Sequence, residues 1–371
     1  MRRLFAAAVR WAAMICLAAG IAFPVFYWRW QPSFSYFGEN AWKYRYLCDY
    51  ELHGGFMQTH LPHPTRGWTL KPGITLSGPT PITTNSRGCR STTEYVYQPE
   101  KFTILAVGDS FTFGAEVGDD DVWPVRLERL DPHYHVINLG VSGYGIDQMY
   151  LAIKETVADY RPQLVILAFI EEDFNRSMMS FRDYRKPRFV LEDDGSLALT
   201  NTPIGNERQT YAWLRGQYGR VCGKWRLWRE DRAACPGFDS PAYEQQLRAL
   251  NYRLIDEAKQ ETERHKAEFL LVRLAWSGVI DPQLGNPDLP DPGELLLQGY
   301  LKEHPVEYVE TRRAFLEAGH PWAKVHYHRP EAEFVAGLIH AKIQAMRAWR
   351  DYLSAHPAQG ANAGASGARN K

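Results

Sequence analysis

At 371 residues the chain is long enough for one large domain or two small ones, and 45% apolar against 23% charged residues predicts a packed globular core. Lysine and arginine (43) balance aspartate and glutamate (43), so the net charge is zero and nothing suggests the basic stripe of a nucleic-acid binder.

The N-terminus stands apart. Arg2 and Arg3 precede an apolar stretch from Trp11 to Trp28, interrupted only by Pro24. That is near the minimum for a bilayer-spanning helix, and positive charges ahead of it send the body to the non-cytoplasmic side. Residues 1–30 are therefore expected to be a retained membrane anchor, with a signal peptide cleaved after the small residues Gly20 and Ala22 as the alternative. In an exported body Cys48, Cys89, Cys222 and Cys235 form an even set suited to two disulfides, Cys222–Cys235 being the preferred pair. No Cys or His spacing points to zinc, and no cofactor is implied.

Residues 31–100 mix aromatics, Pro and Gly without helical period and predict a β-rich extension, with turns at His63–Trp68 and Asn85–Gly88. Alternating strands and helices follow: strand Thr103–Val107, helix Val122–Leu130, strand His135–Leu139, helix Ile146–Tyr160, and the wholly apolar strand Leu164–Ile170. This alternation predicts a three-layer α/β/α domain over about 101–356, with a central parallel sheet. An insertion at about 186–240 opens with a hairpin around Asp194–Gly195 and carries Trp213, Trp225 and Trp228 among arginines, a set expected to pack the insertion onto the sheet. Then come a long helix Pro241–His265, a strand Phe269–Leu274, a loop Asp281–Glu294 and a last helix from about Pro330. The tail 357–371, rich in Ala, Gly, Asn and Ser, is expected to be disordered.

Chemistry concentrates at Gly108-Asp109-Ser110-Phe111-Thr112, where the first buried strand runs out. Reactive groups gather at such strand ends, so Ser110 is the candidate nucleophile. Thr112 replaces the second glycine of Gly-x-Ser-x-Gly, which argues against an α/β-hydrolase elbow. A second block, Asn138-Leu139-Gly140-Val141-Ser142-Gly143, ends the next strand; Glu171-Glu172-Asp173 ends the third; His326 and His328 precede the last helix. The Asp119–Asp121 run lacks the spacing of a calcium loop and suits a helix N-terminus.

In order and content these blocks resemble the SGNH (GDSL) hydrolase superfamily, over roughly residues 100–350, and in particular its membrane-anchored bacterial members. The resemblance implies a flavodoxin-like fold and a serine carboxylic ester hydrolase without cofactor. It makes Ser110 the nucleophile and gives the oxyanion two backbone donors, Ser110 and Gly143, aided by the Asp109 block. His326, with His328 as the alternative, becomes the general base. Two positions depart from the family. Glu172 and Asp173 stand where an Asn-Asp pair is usual, and an ionised carboxylate cannot donate to an oxyanion, so Asn175 is expected to substitute, unless Glu171–Asp173 is simply a solvated turn. Neither histidine has an Asp two or three residues before it, which leaves a backbone carbonyl or a loop acid such as Asp281 to orient the ring. The expected function is ester hydrolysis or O-acyl transfer on an acylated envelope glycan or lipid in the periplasm. A non-catalytic SGNH-fold protein that binds glycan or supports envelope assembly is the alternative.

Overall fold

The computed structural model describes residues 39–53, 59–218, 240–276, 288–319 and 326–357. Five apolar or edge segments form one parallel sheet: β1 (Phe102–Gly108), β2 (Tyr134–Gly140), β3 (Leu164–Phe169), β4 (Glu268–Arg273) and β5 (Glu307–Glu310). Their order is β2-β1-β3-β4-β5, all neighbours parallel, the flavodoxin-like arrangement. β1 to β3 are buried at every position because helices cover both faces. Alternate side chains separate the two layers. Leu105, Val107, Val165 and Leu167 face one core with helices Ile146–Tyr160 and Pro241–Arg264. Ile104, Ala106, Leu164 and Ile166 face the other with Trp123–Leu130 and Arg329–Ala345. β5 escapes sequence reading because it is a four-residue edge strand, Glu-Tyr-Val-Glu, with no apolar run.

The extension differs from expectation. Glu39–His53 is helical; among its described side chains only Trp42, Tyr46 and Leu47 are fully buried, and they set no visible period in the sequence. Tyr46 packs on Phe181 and Tyr184, with ring centroids 5.8 and 5.6 Å away. Two hairpins follow, His60–His63 with Gly67–Leu70 and Thr75–Leu76 with Ile82–Thr83. The hairpin Arg188–Leu191 with Leu197–Thr200 forms as read. Part of the expected Asp281–Glu294 loop is instead the first turn of helix Pro292–Leu301, with Asp291 as its N-cap.

The segment Trp11–Trp28, Cys222, Cys235, Trp225, Trp228, Asp281 and the tail lie outside the described residues. Among the described residues no helix is long and apolar enough to cross a membrane. Cys89 is a free, buried thiol 3.5 Å from the Tyr160 hydroxyl, so the expectation of two disulfides fails at this position. The acidic run is used in ion pairs: Asp119 with Arg90, Asp120 with Arg129, Asp121 with Arg126. Trp213 does not pack on the sheet; it is partly exposed and lies beside Arg185 and Phe181.

Candidate active site

Register brings the blocks together. Gly108 of β1 pairs with Gly140 of β2 and Ala168 of β3, so the segments after all three strands emerge at one height on the sheet's C-terminal edge. Asn138, fully buried, donates to the Thr112 carbonyl at 3.0 Å and accepts from the Gly140 N–H at 2.9 Å, tying the serine turn to the second block. Ser110 opens a one-turn helix, Ser110–Phe113, whose N-cap is Asp109: its carboxylate accepts from the Phe111 N–H at 2.9 Å.

His326 meets Ser110. Nε2 lies 2.9 Å from Ser110 Oγ, and Nδ1 lies 3.2 Å from Glu116 Oε1. With the proton on Nδ1, the ring donates to Glu116 and accepts from the serine hydroxyl, the protonation a general base needs. The Phe111 ring, centroid 4.9 Å from that of the imidazole, backs the histidine. Among the described residues, the partner of His326 Nδ1 is thus neither an Asp close before it nor a backbone carbonyl, but a glutamate six positions after Ser110. No motif marks Glu116; its place in the loop just beyond the serine helix is the one hint. His328 is exposed and caps the helix Arg329–Ala345, its N–H donating to Glu331 at 3.0 Å; a further helix, Arg347–Ala355, follows the one expected to be last. It does not share the Ser110 contact.

The acidic third block is not a solvated turn. Asp173 is fully buried, its Oδ2 accepting from the Ile170 N–H at 2.9 Å. Arg176, one turn on, pairs with Asp109 at 2.9 Å, Glu172 at 3.1 Å and Asp173 at 2.5 Å. Burial, then the Asp109 charge, push the Asp173 carboxyl well above the usual range, and Arg176 opposes both. Arg176 itself is held charged by Asp173, Asp109 and Glu172 against its own burial. Glu171 turns away to Arg273 and the Trp276 ring N–H. Asn175, expected as a substitute donor, makes no hydrogen bond to Ser110 or Gly143 among the described residues; its Oδ1 accepts the Tyr243 hydroxyl at 3.1 Å.

Gly143 has φ +83, a left-handed conformation suited to glycine. A Cβ there would lie 2.1 Å from Arg182 Nη1, so the guanidinium rests directly on this residue. Arg182 also pairs with Asp183 and lies 4.5 Å over the Trp42 ring. Burial and the neighbouring Arg176 push it well below the ordinary arginine range. Among the described residues no backbone acceptor takes the N–H of Ser110 or of Gly143. The extension braces this loop: Trp68 donates its ring N–H to the Ser142 carbonyl at 3.0 Å, and the Tyr144 hydroxyl donates to the Trp68 carbonyl at 2.6 Å. Sequence reading missed Arg176 and Arg182, since neither lies in a recognised block.

No family model and no curated protein matches the chain. Among solved structures it is similar to a member of the lipolytic G-D-S-L family from Veillonella parvula, at 14% identity and TM-score 0.37, covering 66% of this chain and 97% of that one. An acetyl xylan esterase is similar at 14% identity and TM-score 0.36, covering 64% and 98%. A psychrotrophic esterase from Pseudoalteromonas is similar at 10% identity and TM-score 0.35, covering 66% and 97%.

Proposed function

We propose that this chain is an SGNH-type serine ester hydrolase or O-acyltransferase. One observation carries the reading: Ser110 Oγ, His326 and Glu116 are joined end to end by contacts of 2.9 and 3.2 Å. Ser110 Oγ attacks the acyl carbonyl while His326 Nε2 takes its proton. The tetrahedral oxyanion faces the backbone N–H groups of Ser110 and Gly143, and Arg182 adds positive charge beside Gly143, where the family pattern would offer an Asn side chain. Preorganised donors of this kind are each worth a few kcal/mol to the transition state, about 3–4 for a side-chain donor. The acyl–oxygen bond breaks as His326 returns the proton to the leaving alkoxide. Water, or an acceptor hydroxyl, then attacks acyl-Ser110 with His326 again as base, releasing the acid or the transferred ester.

The Trp11–Trp28 segment behind Arg2 and Arg3 supports an inner-membrane protein with this domain in the periplasm, or a secreted one if that segment is cleaved. An acylated envelope glycan or lipid is the substrate class that such a location supplies. The purified full-length chain is expected to cleave a short-chain aryl ester and to lose that activity in Ser110→Ala; unchanged turnover in that variant would falsify the mechanism. Retention of O-acylated envelope glycan without fluorophosphonate labelling of Ser110 would instead identify a non-catalytic binder.

A further inference from the structure

Glu116 is 39% exposed at its side chain, and among the described residues His326 is its one hydrogen-bond partner. A partly solvated pair of this kind contributes little energy to hold its own geometry. The aim of the carboxylate therefore has to come from the backbone that carries it. That backbone leaves the serine helix through Gly114, left-handed at φ +81, whose N–H donates to the Ser110 carbonyl at 2.8 Å.

What holds the backbone is Arg90, a residue of the extension. Its side chain is 1% exposed, and all five of its N–H groups find acceptors. Nη1 donates to the carbonyls of Phe113, at 2.7 Å, and Gly114; Nη2 donates to Val117 at 2.6 Å and Pro81 at 3.2 Å; Nε donates to Asp119 at 3.1 Å. The guanidinium carbon sits 4.8 Å over the Phe113 ring. Asp119 in turn accepts the Thr83 N–H at 3.0 Å, closing the frame onto the second hairpin of the extension. Three of the carbonyls, those of Phe113, Gly114 and Val117, bracket Glu116 on both sides.

We propose that Arg90 is a positioning residue for catalysis, holding the Phe113–Val117 backbone so that Glu116 is aimed at His326. The proposal rests on the reading of Ser110 as the nucleophile. A lysine at this position keeps the charge but cannot serve five acceptors in a planar fork.

The test measures fluorophosphonate labelling of Ser110 in the full-length chain, followed by mass spectrometry, so that no substrate need be known. Arg90→Lys, Asp119→Asn and Glu116→Ala are compared singly, and the first two again in the Glu116→Ala background. Arg90→Lys is expected to lower the maximal labelling rate tenfold or more with half-saturation within twofold. Asp119→Asn, which keeps Arg90 and loosens one contact, gives a smaller loss in the same direction. Both losses are expected to shrink to within twofold once Glu116 is alanine. Equal losses with and without Glu116, or no loss in either single variant, overturn the positioning role. If Arg90→Lys does not fold, Asp119→Asn alone decides by the same comparison. Absence of labelling in the unaltered chain overturns the Ser110 reading itself and this proposal with it, which separates the two failures.

Discussion

The two sides of Ser110 are built on different principles. On the base side, contacts run in line from Ser110, whose hydroxyl also lies 3.4 Å from Asp109 Oδ2, to His326 and on to Glu116, which is partly open to solvent. On the oxyanion side three carboxylates, from Asp109, Glu172 and Asp173, converge on one buried arginine, Arg176. Acidic residues beside an oxyanion would oppose the negative charge that forms there. Arg176 offsets part of that charge, and Arg182, itself paired with Asp183, stands beside Gly143. Where the resembled family has an Asn-Asp pair, this chain carries acids accompanied by two arginines that no block predicts, whereas His326, with no Asp close before it, is paired with a glutamate from the other end of the domain.

The largest effect should come from breaking the base side. His326→Ala is expected to lower aryl-ester turnover by about 10⁴-fold or more, as for other members of a catalytic triad. His328→Ala should leave turnover within about twofold, because that ring sits on a helix cap; steady-state kinetics on both variants decide between the two histidines. Next, Arg176→Met leaves Asp109 and Asp173 buried without their counter-charge. Urea denaturation should show a loss of about 3–5 kcal/mol, the usual cost of breaking a buried pair. A loss below about 1 kcal/mol would mean that the carboxylates are not ionised together as drawn.

Arg182→Met sharpens the contrast from the other direction. If its charge serves the oxyanion, kcat should fall about 10–10²-fold with KM little changed, since the contribution is made in the transition state. A rise in KM alone would assign Arg182 to substrate binding. The smallest effect concerns the extension and its packing on the site. Burial, helped by Lys71, lowers His60 from the ordinary 6.5 to about 4. The unfolded chain therefore takes up a proton that the folded chain refuses, so stability falls as pH drops from about 6.5 toward 4. Between pH 7 and pH 5 the urea midpoint of the unaltered chain should decline more than that of His60→Gln, and parallel declines would remove His60 as the cause.

The extension is the region where sequence and structure diverge most. Its helix Glu39–His53 shows no period because few of its described side chains are buried, and Cys89, counted among disulfide candidates, is a free buried thiol. Arg90 looks unremarkable in the sequence and Trp68 marks only a turn, yet one frames the Glu116 loop and the other braces the Ser142–Gly143 turn. Their partners are backbone carbonyls, which carry no residue signature, so nothing in the sequence announces the contacts.

By contrast the sheet was legible from end to end except at its edge. β1 to β4 are buried apolar runs at the spacing of a parallel α/β domain, and hydrophobic burial alone sets their position and order of appearance. Ser110 was legible for a related reason, since it lies just past a buried strand, whereas Gly143 and His326, with His328 as the alternative, were implied by the resemblance to the SGNH family. What the tertiary structure alone decided was which charged groups share the site. Glu116 and His326 are 210 residues apart, and only folding fixes the few ångströms between them. Charge pairing acts over those short distances and leaves no periodic trace in the chain, so the acid, Arg176 and Arg182 emerge from the fold and not from the motif that led to Ser110.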